Sequence, residues 1–173
     1  MGPRWTPKSK DTLSTNYSVL GSEDFYKFRK IQVIHNKKPL RFYFDTSIWL
    51  DLLENRNEPS FPRGDLAKQL FSYILKTDSI LYFSDLNEKE LRDCYIPLKE
   101  IQTLLQEPFI SYLEISQKHI KRAKEIARQR KIPTGDVVHA LVAKDTYSTM
   151  ITYDKHFKEL KDFLSIATPR DFT

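Results

Sequence analysis

From residue 41 onward, short apolar runs alternate with longer stretches in which apolar residues recur every three or four positions. The runs 41–45, 79–83, 109–115 and 148–152 read as strands, and Leu164 to Ala167 reads as a last edge strand stopped by Pro169. Helical spacing covers 46–56, with apolar residues at 48, 49, 52 and 53. It returns over 65–76, where Leu66, Leu70, Phe71 and Ile74 fall on one side. Asn87, with Glu90 three residues later, makes a capping pair for a third helix, and Pro97 permits a fourth through about Gln106. Ser116 caps a long basic helix that runs to Arg130. Ile132-Pro133-Thr134-Gly135 breaks it, Asp136 opens the next helix, and Asp154 begins a short last one. Strands alternating with helices of this length predict an α/β protein with a mostly parallel sheet covered on both faces. Right-handed crossovers then bring the strand ends to one edge of the sheet.

The first forty residues differ. Residues 1–21 hold Pro3, Pro7, Gly21 and many Ser, Thr and Asn without periodicity, and read as loop or disorder. Ser22 is a candidate N-cap for a helix carrying Phe25, Phe28 and Ile31, although Ile31 to Ile34 reads equally well as a short strand. Residues 1–40 contain eight Lys/Arg and three Asp/Glu, a net charge of +5. The rest of the chain has 28 − 8 = 20 basic and 23 − 3 = 20 acidic residues, so all the formal excess sits in this segment. The chain therefore divides into a basic N-terminal extension over 1–40 and a folded domain over 41–173. The extension is suited to phosphates or to an acidic pocket, or is a solubilising tail.

Composition narrows the chemistry. At 173 residues the chain can bury a core without disulfides, and its one cysteine, Cys94, fits a reducing compartment. The absence of a long apolar run or an apolar h-region predicts a cytoplasmic protein with no membrane span. Four glycines and no phosphate-binding loop argue against a nucleotide-hydrolysing enzyme, and scattered histidines with one cysteine lack zinc-ligand spacing.

What remains is acidic. Asp45 ends the run Phe42-Tyr43-Phe44, Glu90 follows the second strand, Asp136 opens a helix and Asp154 follows Met150-Ile151-Thr152-Tyr153. Sites of open parallel sheets lie at the carboxyl ends of strands, where these acids would converge. Crowded carboxylates repel, and a divalent cation relieves the repulsion; hard oxygen ligands favour Mg²⁺ or Mn²⁺. Taken singly, each Asp reads as a cap or turn residue, and Glu88 competes with Glu90 for the inward position. His139 and His156, close to Asp136 and Asp154, read first as packed or surface imidazoles and second as supports. The basic helix around Lys118, Lys121, Arg122, Lys124 and Arg128 reads as a solvated face before an RNA contact. Trp49 and the aromatics 42–44 read as core or dimer interface.

Four segments in order resemble the PIN domain, and within it the VapC-type ribonuclease toxins of prokaryotic toxin–antitoxin systems. They are Phe44-Asp45-Thr46-Ser47, Ser84-Asp85-Leu86 leading to Glu90-Leu91, Ile132-Pro133-Thr134-Gly135-Asp136-Val137-Val138-His139-Ala140, and Ile151-Thr152-Tyr153-Asp154-Lys155-His156-Phe157. The ending Ala167 to Phe172 is also similar. The resemblance spans roughly 41–172 and implies a three-layer α/β/α sandwich, an acidic site for Mg²⁺ or Mn²⁺, and cleavage of RNA. Asp45, Glu90, Asp136 and Asp154 match the family's four acids by position, with Thr46, Ser47 and Thr152 at flanking hydroxyl positions. By resemblance Asp45 and Asp136 are the closest metal ligands, Asp154 a direct or water-mediated one, and Glu90 the residue that positions water or a second ion. The toxins further imply a homodimer and an antitoxin over the active site. The extension over 1–40 departs from the family and suggests an antitoxin-like or autoinhibitory segment acting in cis or between protomers. The competing readings are a PIN nuclease of RNA maturation or quality control, and a non-catalytic RNA- or protein-binding PIN module.

Overall fold

Phe42, Tyr43 and Phe44 are almost wholly buried, as a strand covered on both faces must be. The computed structural model describes residues 38–172. The expectations for 1–37, including the Ser22 helix and the alternative strand 31–34, lie outside the described residues. Five strands, β1 (Arg41–Phe44), β2 (Ile80–Ser84), β3 (Ile110–Leu113), β4 (Thr149–Ile151) and β5 (Ile166–Ala167), form one sheet in the order β3-β2-β1-β4-β5. Every pairing is parallel, with Phe42 opposite Leu81 on one side and Phe44 opposite Ile151 on the other. The chain winds outward from β1 to β3, then crosses back to β4 and β5. The strand order therefore reverses between β1 and β4, where such sheets open a crevice at the carboxyl edge.

Side-chain alternation along the strands divides the core in two. Phe42, Phe44, Leu81, Phe83 and Ile151 pack with α1 (Thr46–Glu54) and α2 (Arg63–Lys76), around a fully buried Trp49. Trp49 is thus core. Tyr43 and Met150 face the other way, onto α5 (Gln117–Arg130) and α6 (Thr134–Asp145). Helices α3 (Asp85–Asp93) and α4 (Leu98–Leu104) follow β2, and 3₁₀ turns cover Lys155–Leu160 and Pro169–Phe172. The result is the three-layer α/β/α sandwich, with a wholly parallel sheet. No helix among the described residues is long and apolar enough to cross a membrane.

Local chemistry moved several boundaries. Helix α3 is capped by Ser84, not Asn87: Ser84 Oγ accepts the Asn87 N–H at 3.3 Å and Asn87 Oδ1 accepts the Ser84 N–H at 3.0 Å. This reciprocal box lets β2 run straight into the helix. Helix α6 starts at Thr134 with Pro133 as N-cap, and α5 ends at Arg130, so the break is Lys131 to Pro133. Gly135 and Asp136 consequently lie in its first turn. Helix α1 stops at Glu54 because Asn55 turns left-handed, with φ 51°.

Gly64 holds α1 and α2 together. Its N–H donates to the Arg56 carbonyl at 2.7 Å, and a Cβ placed there would meet the Asn55 carbonyl carbon at 2.6 Å. Backbone cannot yield as a flexible side chain can. Gly64→Ala should therefore destabilise the fold by about 1–3 kcal/mol, as overpacking does. A denaturant midpoint that falls at constant m-value would register it, and an unchanged midpoint would contradict the close approach.

Candidate active site

Asp45 leaves the sheet as its N–H donates to the Ile151 carbonyl of β4 at 3.0 Å. It is the N-cap residue of α1, yet its side chain makes no capping bond. Instead Asp45 Oδ2 accepts from Ser47 Oγ at 2.7 Å and from Thr152 Oγ1 at 2.9 Å. The Thr152 hydroxyl also accepts the Asp154 N–H at 2.9 Å. A buried threonine at the end of β4 therefore ties together two acids that are far apart in sequence.

Asp154 caps the 3₁₀ turn that follows, with Oδ1 accepting the His156 N–H at 2.8 Å. The His156 ring lies beside the acids. Its Nδ1 lies 3.2 Å from Asp136 Oδ2 and 3.4 Å from Asp154 Oδ1. Asp136, Asp154 and His156 each offer one ligand atom, all within 4.8 Å of one another. Burial, followed by the charges of Asp154 and Asp45, pushes the Asp136 carboxyl up from its ordinary value; His156 opposes the shift. Asp136 thus feels both other aspartates at this edge of the sheet.

Glu90 is held differently. Glu90 Oε2 accepts from Thr46 Oγ1 at 2.5 Å and from His139 Nε2 at 3.0 Å. Burial works against its ionisation, but the bonds from His139 and Thr46 and the charges of His139 and Lys89 hold its carboxyl below the ordinary value. Its other oxygen lies beside the first turn of α6, where a Cβ on Gly135 would stand 3.6 Å away. Glu88, the competitor, turns aside to accept from the Tyr112 hydroxyl at 3.0 Å.

The two donors to Glu90 belong to a closed ring of side chains. His139 Nδ1 is 2.8 Å from the Tyr43 hydroxyl, which is 2.7 Å from Ser84 Oγ. Ser84 Oγ is 3.0 Å from Asn87 Oδ1, and Asn87 Nδ2 donates to Thr46 Oγ1 at 3.1 Å. Thr46 returns the chain to Glu90. Tyr43, Ser84, Asn87 and His139 are buried, and burial pushes the Tyr43 hydroxyl well above its ordinary value, so it stays protonated. An ionised carboxylate only accepts, so His139 Nε2 carries the proton toward Glu90.

The sequence reading named all four acids and the three flanking hydroxyls, and each of them lies at the carboxyl edge of the sheet. His139 is packed and His156 lies on the surface, as the first reading of each had it, and both also touch the acids; Tyr43, Ser84 and Asn87 were not foreseen. One clue was available: His139 is the sole polar residue in the apolar run Val137 to Ala143. The ring closure itself depends on register between strands and carries no sequence signal.

The PIN domain family model matches residues 42–162. None of the curated protein sequences matches the chain. Among solved structures, a toxin–antitoxin complex from Klebsiella pneumoniae is similar at 21 % identity and a TM-score of 0.52, over 74 % of this chain and 97 % of that one. VapBC2 from Rickettsia felis, bound to a DNA fragment from their promoter, is similar at 15 % identity and a TM-score of 0.55, over 75 % and 98 %. These likenesses establish the same fold, and the family match, which runs from β1 through β4 and includes all four acids, establishes more: the chain belongs to the PIN domain family.

Proposed function

We propose that this chain is a Mg²⁺- or Mn²⁺-dependent endoribonuclease, the toxin of a VapBC-like toxin–antitoxin pair. One observation carries the reading: Asp136, Asp154 and His156 each offer a ligand atom within 4.8 Å of one another, and Thr152 ties Asp45 to Asp154 beside them. PIN domains are in general nucleases, and the similar toxin–antitoxin structures support the narrower assignment.

The residues fit a hard divalent cation. Asp45, Asp136 and Asp154 supply carboxylate oxygens, which suit Mg²⁺ or Mn²⁺, and His156 adds an imidazole nitrogen beside two of them. When bound, such a cation lowers the pKa of a water and neutralises charge on phosphoryl oxygens. The protein's own groups then have separate tasks. Ser47 and Thr152 fix the plane of the Asp45 carboxylate by donating to one of its oxygens. Glu90, kept ionised by Thr46 and His139, accepts a hydrogen bond from a water and orients it. The exposed cations Lys118, Lys121, Arg122, Lys124 and Arg128 of α5 offer an RNA backbone sequence-independent attraction. An antitoxin over the acids would silence them, and the basic segment 1–40 acting in cis is the alternative cover. A homodimer is part of the same proposal.

Cleavage of RNA by the purified chain in Mg²⁺ or Mn²⁺ tests the reading. Activity should fall to background in EDTA and in Asp45→Asn. Activity that survives both would refute it.

The two shifted acids give a second test, in metal-free protein. A carboxyl raised in the fold loses stability as pH climbs from its ordinary value through the raised one. Asp136→Asn should therefore raise the Tm at pH 7, and the gain should vanish below about the ordinary aspartate value of 3.8. Glu90 is lowered, so its contribution is present above 4.5 and is lost as pH falls through the depressed value. Glu90→Gln should lower the Tm at pH 7, with a deficit that closes in acid. Equal effects of the two variants at pH 7 would contradict the assigned electrostatics.

A further inference from the structure

Two glycines stand in first turns of helices, and only one is explained by packing. At Gly64 a Cβ would strike backbone at 2.6 Å. At Gly135 the nearest atom is Glu90 Oε1, 3.6 Å away, an ordinary van der Waals distance. Nor does the backbone need glycine there, because no described glycine has a positive φ. Alanine is the better helix former, so glycine in the first turn of α6 carries a cost without a local reason. The missing side chain leaves open the space in front of one particular oxygen.

The other oxygen of the same carboxylate is committed. Glu90 Oε2 takes both donors, Thr46 Oγ1 and His139 Nε2. Neither donor is free to move away. Thr46 is tied to Asn87, and His139 to Tyr43, within a ring in which Tyr43, Ser84, Asn87 and His139 are each at most 2 % exposed. To swing either donor aside would strip hydrogen bonds from buried polar groups that cannot reach water. A glutamate with several rotatable bonds is thereby reduced to one presentation.

We propose that Glu90 serves the site through Oε1 alone: His139 is the positioning residue that selects this oxygen, and Gly135 keeps clear the space in which a water bound to it must stand. The inference rests on the metal-dependent nuclease reading above and adds to it two residues that touch no substrate. It makes Glu90 an acceptor for a water of a hydrated Mg²⁺ or Mn²⁺, an ion that keeps several of its waters in protein sites.

The test is Mn²⁺ titration and thermal melting of the full chain as wild type, Gly135→Ala, His139→Phe and His139→Gln. Gly135→Ala should melt at or above the wild-type Tm when metal-free, yet bind Mn²⁺ about 10-fold or more weakly, the usual scale for groups that support a metal site. A purely structural glycine would move stability and affinity in the same direction. His139→Phe should weaken Mn²⁺ binding on the same scale. His139→Gln, whose amide can donate to Oε2, should recover part of the loss. Wild-type binding with unchanged affinity in Gly135→Ala overturns this assignment alone, as does a lowered metal-free Tm in that variant. Absence of Mn²⁺ binding by the wild type overturns the nuclease reading and this assignment with it.

Discussion

The parallel pairing of β1 with β4 is the constraint on which the site depends. The two strands are far apart in sequence and adjacent in space, with Phe44 opposite Ile151 and the Asp45 N–H on the Ile151 carbonyl. That rung sets Asp45 beside Thr152 at the point where the strand order reverses. From there the geometry follows. Thr152 bonds both Asp45 and the backbone of Asp154, and Asp154 caps the turn that presents His156 to Asp136. Neither face of these strands can slip in register, because Phe42 and Phe44 fill one core while Tyr43 fills the other.

Two kinds of acid share the crevice. Asp136 is destabilised in its charged form by burial and by its neighbours, the condition that a cation relieves. Glu90 is stabilised in its charged form by hydrogen bonds from His139 and Thr46. The Asp136 carboxyl stays raised even with His156 beside it, whereas Glu90 is supplied with two donors on a single oxygen.

Much of this was legible in the chain. Short apolar runs and helices at period 3.6 located the sheet and its two covering layers, and acids just past strand ends pointed to its carboxyl edge. What escaped was set by contacts distant in sequence. Ser84 displaced Asn87 as the cap of α3 because the strand delivers its hydroxyl directly to the helix, which a local count of capping residues cannot weigh. Glu88 and Glu90 were indistinguishable until Tyr112 on β3 and His139 on α6 supplied different partners. His156 is an exposed imidazole, as its sequence suggests, and only the fold brings its ring beside Asp136 and Asp154. The ring through Tyr43 joins β1, β2, α1, α3 and α6, so no window of sequence contains it.

The most direct measurement is the anomalous X-ray signal of Mn²⁺ in crystals of the chain grown with that ion. The expected result is a peak among the carboxylates of Asp45, Asp136 and Asp154 that is absent from crystals of Asp136→Asn. Full occupancy of Mn²⁺ only at other places, or none at all under conditions that support RNA cleavage, would contradict the claim that these acids form a metal site.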